Sequence, residues 1–465
     1  MSLSMEVEPV WPTERGSGRG RRHGTSSREP FDRWFRYPAG FASDYVALLL
    51  DGLELRGGTV VDCFAGSGVT GTAARTRGLA FAGVEAHPLI AELARLKLAP
   101  TADPSEVRAL SLEVASHGRR AARETPASLS GEVELVRRSF GDTTLGALVA
   151  MRDLIKKEQD RPGAGYVKWA LLATLRDVAD VKVGWPYQRP GSPRKPRFSD
   201  PISRFEDRVE MMAYDLEELA AESAIRPYAQ VITGDSREPS AWAALEGPFA
   251  ACVSSPPYLN NFDYADATRL ELYFWGDVST WHEMCRDVRG DMLTATTQQS
   301  SVAERNSSIR QLEERGSSLA GVDGPVDEVL AIVGALTDAK RLRGRRSKEY
   351  DQVAPAYFLA MWDVLRNLHD NLEDGANAVW LVGDSAPYGV YVDTPRLMGE
   401  FAEQVGFRFA DDVSLRVRGE RWAQNADRHR VPLSERLIVL KKDGPAARPG
   451  DVRAAPLPPE RQSGR

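Results

Sequence analysis

The chain has 465 residues, 42% of them hydrophobic, and its 60 Lys and Arg against 66 Asp and Glu give a formal net charge of −6 at pH 7. This size supports one large domain with insertions, or two domains, and the acidic balance excludes a uniformly basic nucleic-acid coat while leaving room for local basic patches. Cys63, Cys252 and Cys285 have no C-x-x-C spacing, and the six histidines have no ligand spacing, so we predict neither a disulfide framework nor a metal site.

The chain has no sequence signal for export or membrane insertion. Its N-terminus lacks an apolar signal-peptide core, and no run of about 18 apolar residues occurs. We therefore expect a cytoplasmic protein without a membrane partner. Residues 1–30, rich in Gly, Ser and Arg, and residues 443–465, rich in Pro and Gly, are predicted to be disordered tails.

Short apolar or β-branched stretches predict buried strands, and helical patterns separate most of them. The predicted strands are 59–64, 81–86, 230–235, 250–255, 377–384 and 435–442. In the clearest helical pattern, apolar residues recur from Tyr357 to Leu372, and Gly375 is the expected C-terminal stop. This alternation predicts an α/β protein with a mostly parallel sheet and helices on both faces.

Two stretches interrupt the alternation and are predicted to be insertions in a main domain formed by 31–100 and 226–442. Residues 101–225 are helix-rich, and residues 277–350 are polar. Each contains a basic run that is either a solvated surface or a nucleic-acid contact. The first run includes Trp185, Arg189, Arg194, Lys195 and Arg197, and the second includes Arg343, Arg345 and Arg346.

A glycine-rich loop follows the first predicted strand, in the sequence DCFAGSGVTG from Asp62 to Gly71. Gly66 and Gly68 permit a tight turn and close approach of a ligand, and Gly71 permits the next helix to pack on the sheet. Glu85 ends the next strand, where an acid accepts hydrogen bonds from two ribose hydroxyls. NAD and S-adenosylmethionine fit this pattern equally, and a turn without a ligand is the structural alternative.

A later strand runs into Ser255-Pro256-Pro257-Tyr258. Two consecutive prolines remove two N–H donors and fix the backbone, so this segment is a rigid acceptor site. An exocyclic nucleobase amine is a poor nucleophile, and acceptors such as the Ser255 hydroxyl and Pro256 carbonyl favour a pyramidal nitrogen that attacks a sulfonium methyl. Tyr258 offers a flat face for an extruded base. A Pro-Pro turn that closes an edge strand is the structural alternative.

In this order, the motifs resemble those of the DNA amino-methyltransferases, which methylate cytosine N4 or adenine N6. The similar segments are 35–50, FAGSG at 64–68, Glu85, GDS at 234–236, SPPY at 255–258, 383–407 and 432–442. The resemblance implies a Rossmann-like class I methyltransferase sheet and S-adenosylmethionine as cofactor. Carboxylates near a sulfonium are favourable, whereas they repel the pyrophosphate of NAD, which supports the same cofactor.

The resemblance also implies roles for individual residues. Phe64, Ala65, Gly66 and Gly68 are expected to form the cofactor loop, with Asp62 near the methionine end and Glu85 at the ribose. Asp235 is the expected partner of the adenine amine and Phe41 an apolar wall. Ser255, Pro256, Pro257 and Tyr258 are the expected catalytic segment.

The expected substrate is double-stranded DNA with the target base flipped out, and 101–225 is the candidate recognition region. None of the three cysteines follows a proline, which disfavours cytosine C5 methylation. Serine before Pro-Pro-Tyr resembles the cytosine-N4 enzymes. Adenine N6, an RNA base amine, a non-enzymatic DNA-binding protein and an NAD oxidoreductase are the alternatives. We also expect the protein to be associated with the nucleoid and to act with cognate restriction or defence components.

Overall fold

A computed structural model describes residue 11 and residues 29–37, 42–124, 129–184, 192–193, 199–222, 227–260, 263–294, 301–317, 324–343, 349–418 and 432–444, with the backbone alone at 192–193 and 416–418. Several residues singled out by the sequence lie outside these ranges. They are Phe41, Trp185, Arg189, Arg194, Lys195, Arg197, Arg345 and Arg346.

The main sheet has seven strands in the order β5-β2-β1-β6-β7-β9-β8. The strands are β1 (Thr59–Asp62), β2 (Ala80–Glu85), β3 (Val181–Lys182), β4 (Ser192–Pro193), β5 (Ala229–Thr233), β6 (Phe249–Ser254), β7 (Leu372–Gly383), β8 (Phe407–Arg418) and β9 (Leu433–Lys442). The first five strands of the sheet order are parallel, and β9 is antiparallel to both β7 and β8. Strands β3 and β4 form a separate antiparallel pair.

Helices connect the strands and make up most of the two predicted insertions. They are α1 (Ser43–Gly52), α2 (Val69–Thr76), α3 (Pro88–Leu98), α4 (Pro104–Ala121), α5 (Glu134–Ser139), α6 (Asp142–Lys157), α7 (Ala164–Val178), α8 (Pro201–Ala221), α9 (Pro239–Ala243), α10 (Tyr264–Ala267), α11 (Arg269–Trp275), α12 (Trp281–Glu283), α13 (Val302–Ser317), α14 (Pro325–Arg343), α15 (Tyr350–Asn371) and α16 (Thr394–Gln404). In the described ranges, no helix combines the length and apolarity needed to cross a membrane.

Helices cover both faces of the sheet, as the sequence predicts. Alternate residues of a strand point to opposite faces, and Val60 and Val61 of β1 accordingly belong to different hydrophobic clusters. The cluster of Val60 includes apolar residues of α1, α2 and α3, and that of Val61 includes apolar residues of α13 to α16. Buried strands of a mostly parallel sheet are apolar on both faces for this reason.

One detail of the sequence prediction is wrong, and one strand was not predicted. The helix α15 ends at Asn371, and Leu372 already begins β7. Gly375 therefore does not end the helix but lies inside β7, with φ +84°. Strand β8 was not predicted because it is an edge strand with polar residues such as Arg408, Asp411 and Asp412, and two register irregularities disrupt its alternation.

The first predicted insertion contains α4 to α8, whose apolar residues form one buried cluster. The N-terminal segment 29–37 ties this cluster to the rest of the protein. The Asp215 carboxylate on α8 is fully buried and accepts hydrogen bonds from the Phe31 amide and the Trp34 indole, both at 2.8 Å. Asp32 of the same segment forms a buried ion pair with Lys97 on α3, at 2.8 Å.

Gly71 lies where α2 packs against the sheet, and we expect Gly71→Ala to destabilise the protein. A Cβ atom there is 2.5 Å from Leu98 Cδ1 and 2.8 Å from Phe81 Cδ1, and overpacking of this kind costs about 1–3 kcal/mol. Urea denaturation measures the change. Gly334→Ala in α14 is the matched control, because nothing lies within 4 Å of its Cβ position. Equal midpoints for the two variants would contradict the prediction.

Candidate active site

The glycine-rich loop and the Ser255-Pro256-Pro257-Tyr258 segment, named here the ledge, lie at the same edge of the sheet. They follow β1 and β6, which are parallel neighbours, and the carboxyl ends of parallel strands meet at one edge. A hydrogen bond of 2.6 Å from Ser254 Oγ to Asp62 Oδ1 joins the last residues of the two strands. The two motifs therefore form one site although almost two hundred residues separate them.

The glycine-rich loop is held in a defined conformation. Gly66 and Gly68 have φ angles of +52° and +82°, which residues with a Cβ atom rarely adopt. The Ala65 amide donates to Val84 O at 2.9 Å, and the Gly68 amide donates to Ala65 O at 2.8 Å. Lys97 Nζ donates to Ser67 O at 2.6 Å. These bonds fix the path of the backbone on which a ligand would lie.

Glu85 stands at the carboxyl end of β2 beside this loop. One carboxylate oxygen accepts from the Gly66 amide at 2.8 Å, and the other from the His87 amide at 2.7 Å. A carboxylate has about four acceptor sites, so both oxygens keep the capacity to accept further donors. Burial raises the pKa of Glu85 to about 7, with a smaller contribution from Asp62. The group therefore changes its charge near neutral pH.

Asp62 mainly organises the loop. Its carboxylate accepts from the Phe64 amide at 2.9 Å and from the Thr70 hydroxyl at 2.6 Å, in addition to Ser254. The residue is 3% exposed, and burial raises the pKa of its carboxyl group. Three of its acceptor sites are used within the protein, so this carboxylate offers a ligand less than Glu85 does.

Asp235 follows β5 at the same sheet edge, and its carboxylate is paired with an arginine of this protein. The Arg237 guanidinium donates to both of its carboxylate oxygens, with Nε at 2.9 and 2.8 Å. The next residue, Ser236, donates its hydroxyl to Cys63 O, which ties this turn to the glycine-rich loop. The sequence did not single out Arg237, and its pairing with the carboxylate was not predicted.

Hydrogen bonds to three neighbouring elements hold the ledge in place. The Ser255 hydroxyl donates to Leu381 O of β7 at 3.3 Å, which leaves the oxygen lone pairs as acceptors. The Tyr357 hydroxyl of α15 donates to Pro257 O at 2.8 Å. The Tyr258 hydroxyl donates to Glu435 Oε1 of β9 at 3.3 Å. Three contacts from three elements thus orient consecutive parts of the ledge.

Among the predicted DNA-contacting residues, Arg343 is described. It is the last residue of α14, and its guanidinium carbon is 5.5 Å from the ring centroid of Tyr388, in the loop after β7. Arg343 is therefore near the same sheet edge as the ledge.

The strand order, with its antiparallel strand β9 between β7 and β8, and the two motifs at one edge define a Rossmann-like class I methyltransferase fold. Residues 4–96 match the family model N6_N4_Mtase, described as DNA methylase. The chain is 21% identical to Type II methyltransferase M.BsoBI of Geobacillus stearothermophilus over 460 residues, which cover 90% of this chain and 86% of that protein. These matches confirm the predicted resemblance to the DNA amino-methyltransferases of the N4/N6 type.

Proposed function

We propose that this protein is a site-specific DNA methyltransferase that transfers a methyl group from S-adenosylmethionine to an exocyclic amine of a flipped base, most favourably cytosine N4. The observation that carries the proposal is the junction of the glycine-rich loop and the ledge through Ser254 and Asp62. A methyl donor held by the loop and an amine held by the ledge are then neighbours. Holding the two reactants next to each other in this way lowers the barrier to transfer.

The loop residues fit S-adenosylmethionine. Glu85 has unused acceptor capacity for two ribose hydroxyls, and Gly66 and Gly68 allow close approach to the backbone. Asp62, Phe64, Ala65 and Asp235 complete the proposed cofactor contacts, and Phe41 is a further proposed contact. The bound cofactor supplies an electrophilic methyl group on a sulfonium, whose positive charge the buried carboxylates favour.

The ledge residues prepare the amine. The Ser255 oxygen accepts one amine hydrogen because its own hydrogen is directed to Leu381 O. The Pro256 carbonyl is the proposed second acceptor. Together they draw the nitrogen out of conjugation with the ring and make its lone pair available. The Tyr258 ring stacks on the base, and its hydroxyl contact with Glu435 fixes the ring plane.

Cytosine N4 is preferred over adenine N6 because serine precedes Pro-Pro-Tyr, as in the cytosine-N4 enzymes. The proposed DNA contacts are the basic runs that contain Arg189 and Arg343, with cognate restriction or defence components as further partners. We therefore propose that the enzyme acts at the nucleoid, in the cytoplasm.

The test is methyl transfer by the purified full chain with tritiated S-adenosylmethionine, in separate reactions with genomic DNA and with tRNA. Nucleoside digestion and mass spectrometry then identify the product. We expect N4-methylcytosine, and N6-methyladenine would support the alternative base. Transfer to tRNA without transfer to DNA, or no transfer to either, would refute the proposal. Long-read sequencing of DNA methylated by the enzyme then gives the recognition sequence.

Tyr357 is expected to be a positioning residue for the ledge. The Tyr357→Phe variant keeps the buried ring but loses the hydrogen bond to Pro257 O. We expect about a tenfold lower kcat, equivalent to about 1.4 kcal/mol, with unchanged affinity for S-adenosylmethionine. Steady-state kinetics and calorimetry measure the two effects.

Tyr166→Phe is the matched control for this variant. Tyr166 is also buried, and its hydroxyl donates to a backbone carbonyl, Leu96 O, at 3.2 Å, away from the ledge. Tyr357→Phe should lose about 1 kcal/mol of stability, the usual net value of one hydrogen bond. Tyr166→Phe should lose at least as much, because the Tyr166 hydroxyl also accepts from the Thr101 amide at 3.3 Å. A kcat that falls equally in both variants would show that Tyr357 has no specific role.

A further inference from the structure

The C-terminal end of α14 presents an apolar side chain to solvent between two arginines. Leu342 is 89% exposed, more than any other large hydrophobic residue in the described part of the chain, and Leu112 follows at 64%. Arg341 and Arg343 flank it in the sequence. A leucine exposed to this extent keeps its apolar surface in water, which is unfavourable. This position therefore suits contact with an apolar surface of an anionic partner.

A chain of contacts connects Leu342 to the ledge. The neighbouring Arg343 lies over the ring of Tyr388, and Tyr388 packs edge-on against Tyr350, with ring centroids 5.3 Å apart. Tyr350 and Tyr357 are seven residues apart on α15, so they share one helix face and are separated by about 10 Å along the axis. Because Tyr357 bonds Pro257 O, the ledge and the Tyr388 loop both contact α15. Tyr388 follows β7, the parallel neighbour of β6, so this loop and the end of α14, named here the rim, lie at the sheet edge of the ledge.

Tyr388 gives this rim a fixed shape. Its φ of 56° lies in the left-handed region, which bulky residues rarely adopt. Such conformations persist where the surrounding structure imposes them, and they are concentrated at functional sites. Here the aromatic contact with Tyr350 and the guanidinium contact with Arg343 hold the ring.

We propose that Leu342 is a wedge that enters the DNA duplex beside the flipped nucleotide, while Arg341 and Arg343 contact the flanking phosphates. This inference rests on the proposed function. Flipping a base leaves a gap lined by the apolar faces of adjacent bases, and apolar side chains fill such spaces between base steps. The arginines complement the phosphate charge. The Arg341 contact with Asp338, at 3.2 Å, is an exposed pair and weak enough to exchange for a phosphate.

The test compares single-turnover methylation of two duplexes that contain the recognition sequence found by sequencing. One duplex is fully paired, and the other has a mismatch opposite the target base, which makes flipping easier. We expect Leu342→Ala to slow methylation of the paired duplex about tenfold and to match the wild type on the mismatched duplex. Leu342→Met, which keeps an apolar side chain of similar length, should retain the rate on both.

Val302→Ala is the matched control, because Val302 is also an exposed aliphatic residue of a helix, at 56%, but lies on α13, outside the candidate recognition region and the basic runs. It should match the wild type on both duplexes. Equal rates of Leu342→Ala and wild type on the paired duplex would overturn the wedge, as would equal slowing on both duplexes. If the wild type methylates neither duplex, the proposed function fails and the wedge with it.

Discussion

Ser255→Ala is expected to reduce kcat for methyl transfer by about 100-fold or more, the scale seen when one preorganised hydrogen-bonding group is lost from an active site. The variant removes the acceptor oxygen that Leu381 O orients toward the amine. Affinity for S-adenosylmethionine should be unchanged, because the glycine-rich loop is held by contacts of Ala65, Gly68 and Lys97 that do not involve Ser255. Rapid-quench kinetics and calorimetry measure the two quantities.

Ser139→Ala is the matched control for Ser255→Ala. The Ser139 hydroxyl also donates to a backbone carbonyl, Leu135 O, at 2.6 Å, but it lies in α5. This variant should retain wild-type kcat. Wild-type turnover in Ser255→Ala would contradict the proposed amine-orienting role of the ledge. Loss of cofactor binding together with loss of turnover would show that the substitution had disturbed the whole site.

The second large effect is expected at Glu85. Glu85→Gln should weaken the binding of S-adenosylmethionine about 100-fold or more, because two hydrogen bonds to a charged acceptor contribute about 1.5–3 kcal/mol each. An amide at this position also turns its NH2 group toward the amide of Gly66 or of His87, both of which need an acceptor. Isothermal calorimetry measures the affinity for S-adenosylmethionine. The midpoint of thermal unfolding shows whether the variant is as stable as the wild type.

The pH dependence of cofactor binding tests the same group. Ribose hydroxyls donate to the ionised carboxylate, and the pKa of Glu85 is raised to about 7. Binding therefore strengthens as the pH rises through 7, and the affinity at pH 6 should be about tenfold lower than at pH 8. The comparison is between the wild type and Glu85→Gln. The α-amino group of the cofactor also titrates near pH 8, but its effect on binding is the same for the wild type and for the variant. A wild type whose pH profile parallels that of Glu85→Gln would refute the assignment.

The sheet was largely predictable because its central strands are short apolar runs, and parallel strands bring their carboxyl ends together. That geometry alone places Glu85 and the ledge near the glycine-rich loop. Strand β8 was not predicted because Asp411 and Asp412 interrupt the alternation of apolar and polar residues. Gly375 was misassigned because a glycine inside a strand leaves the same sequence signal as a helix terminus.

The supporting residues were not predictable, because their roles depend on partners far away in the sequence. Tyr357 matches the apolar face of α15, and only the packed structure shows its hydroxyl at Pro257 O, 100 residues earlier. Lys97 is a lysine in the mainly apolar pattern of α3, and its burial depends on Asp32 and Ser67 O. A charged residue on an otherwise apolar helix face was the signal available.

The contact of Asp215 with the N-terminal segment constrains the design of chimaeras between this protein and its relatives. A chimaera that imports the block α4 to α8 also imports this fully buried carboxylate. The Asp215 carboxylate loses the two hydrogen bonds of 2.8 Å that it accepts from Phe31 and Trp34 unless these two residues come from the same parent. An exchange of the block α4 to α8 therefore has to transplant two separate pieces of the gene, one of them upstream of the glycine-rich loop.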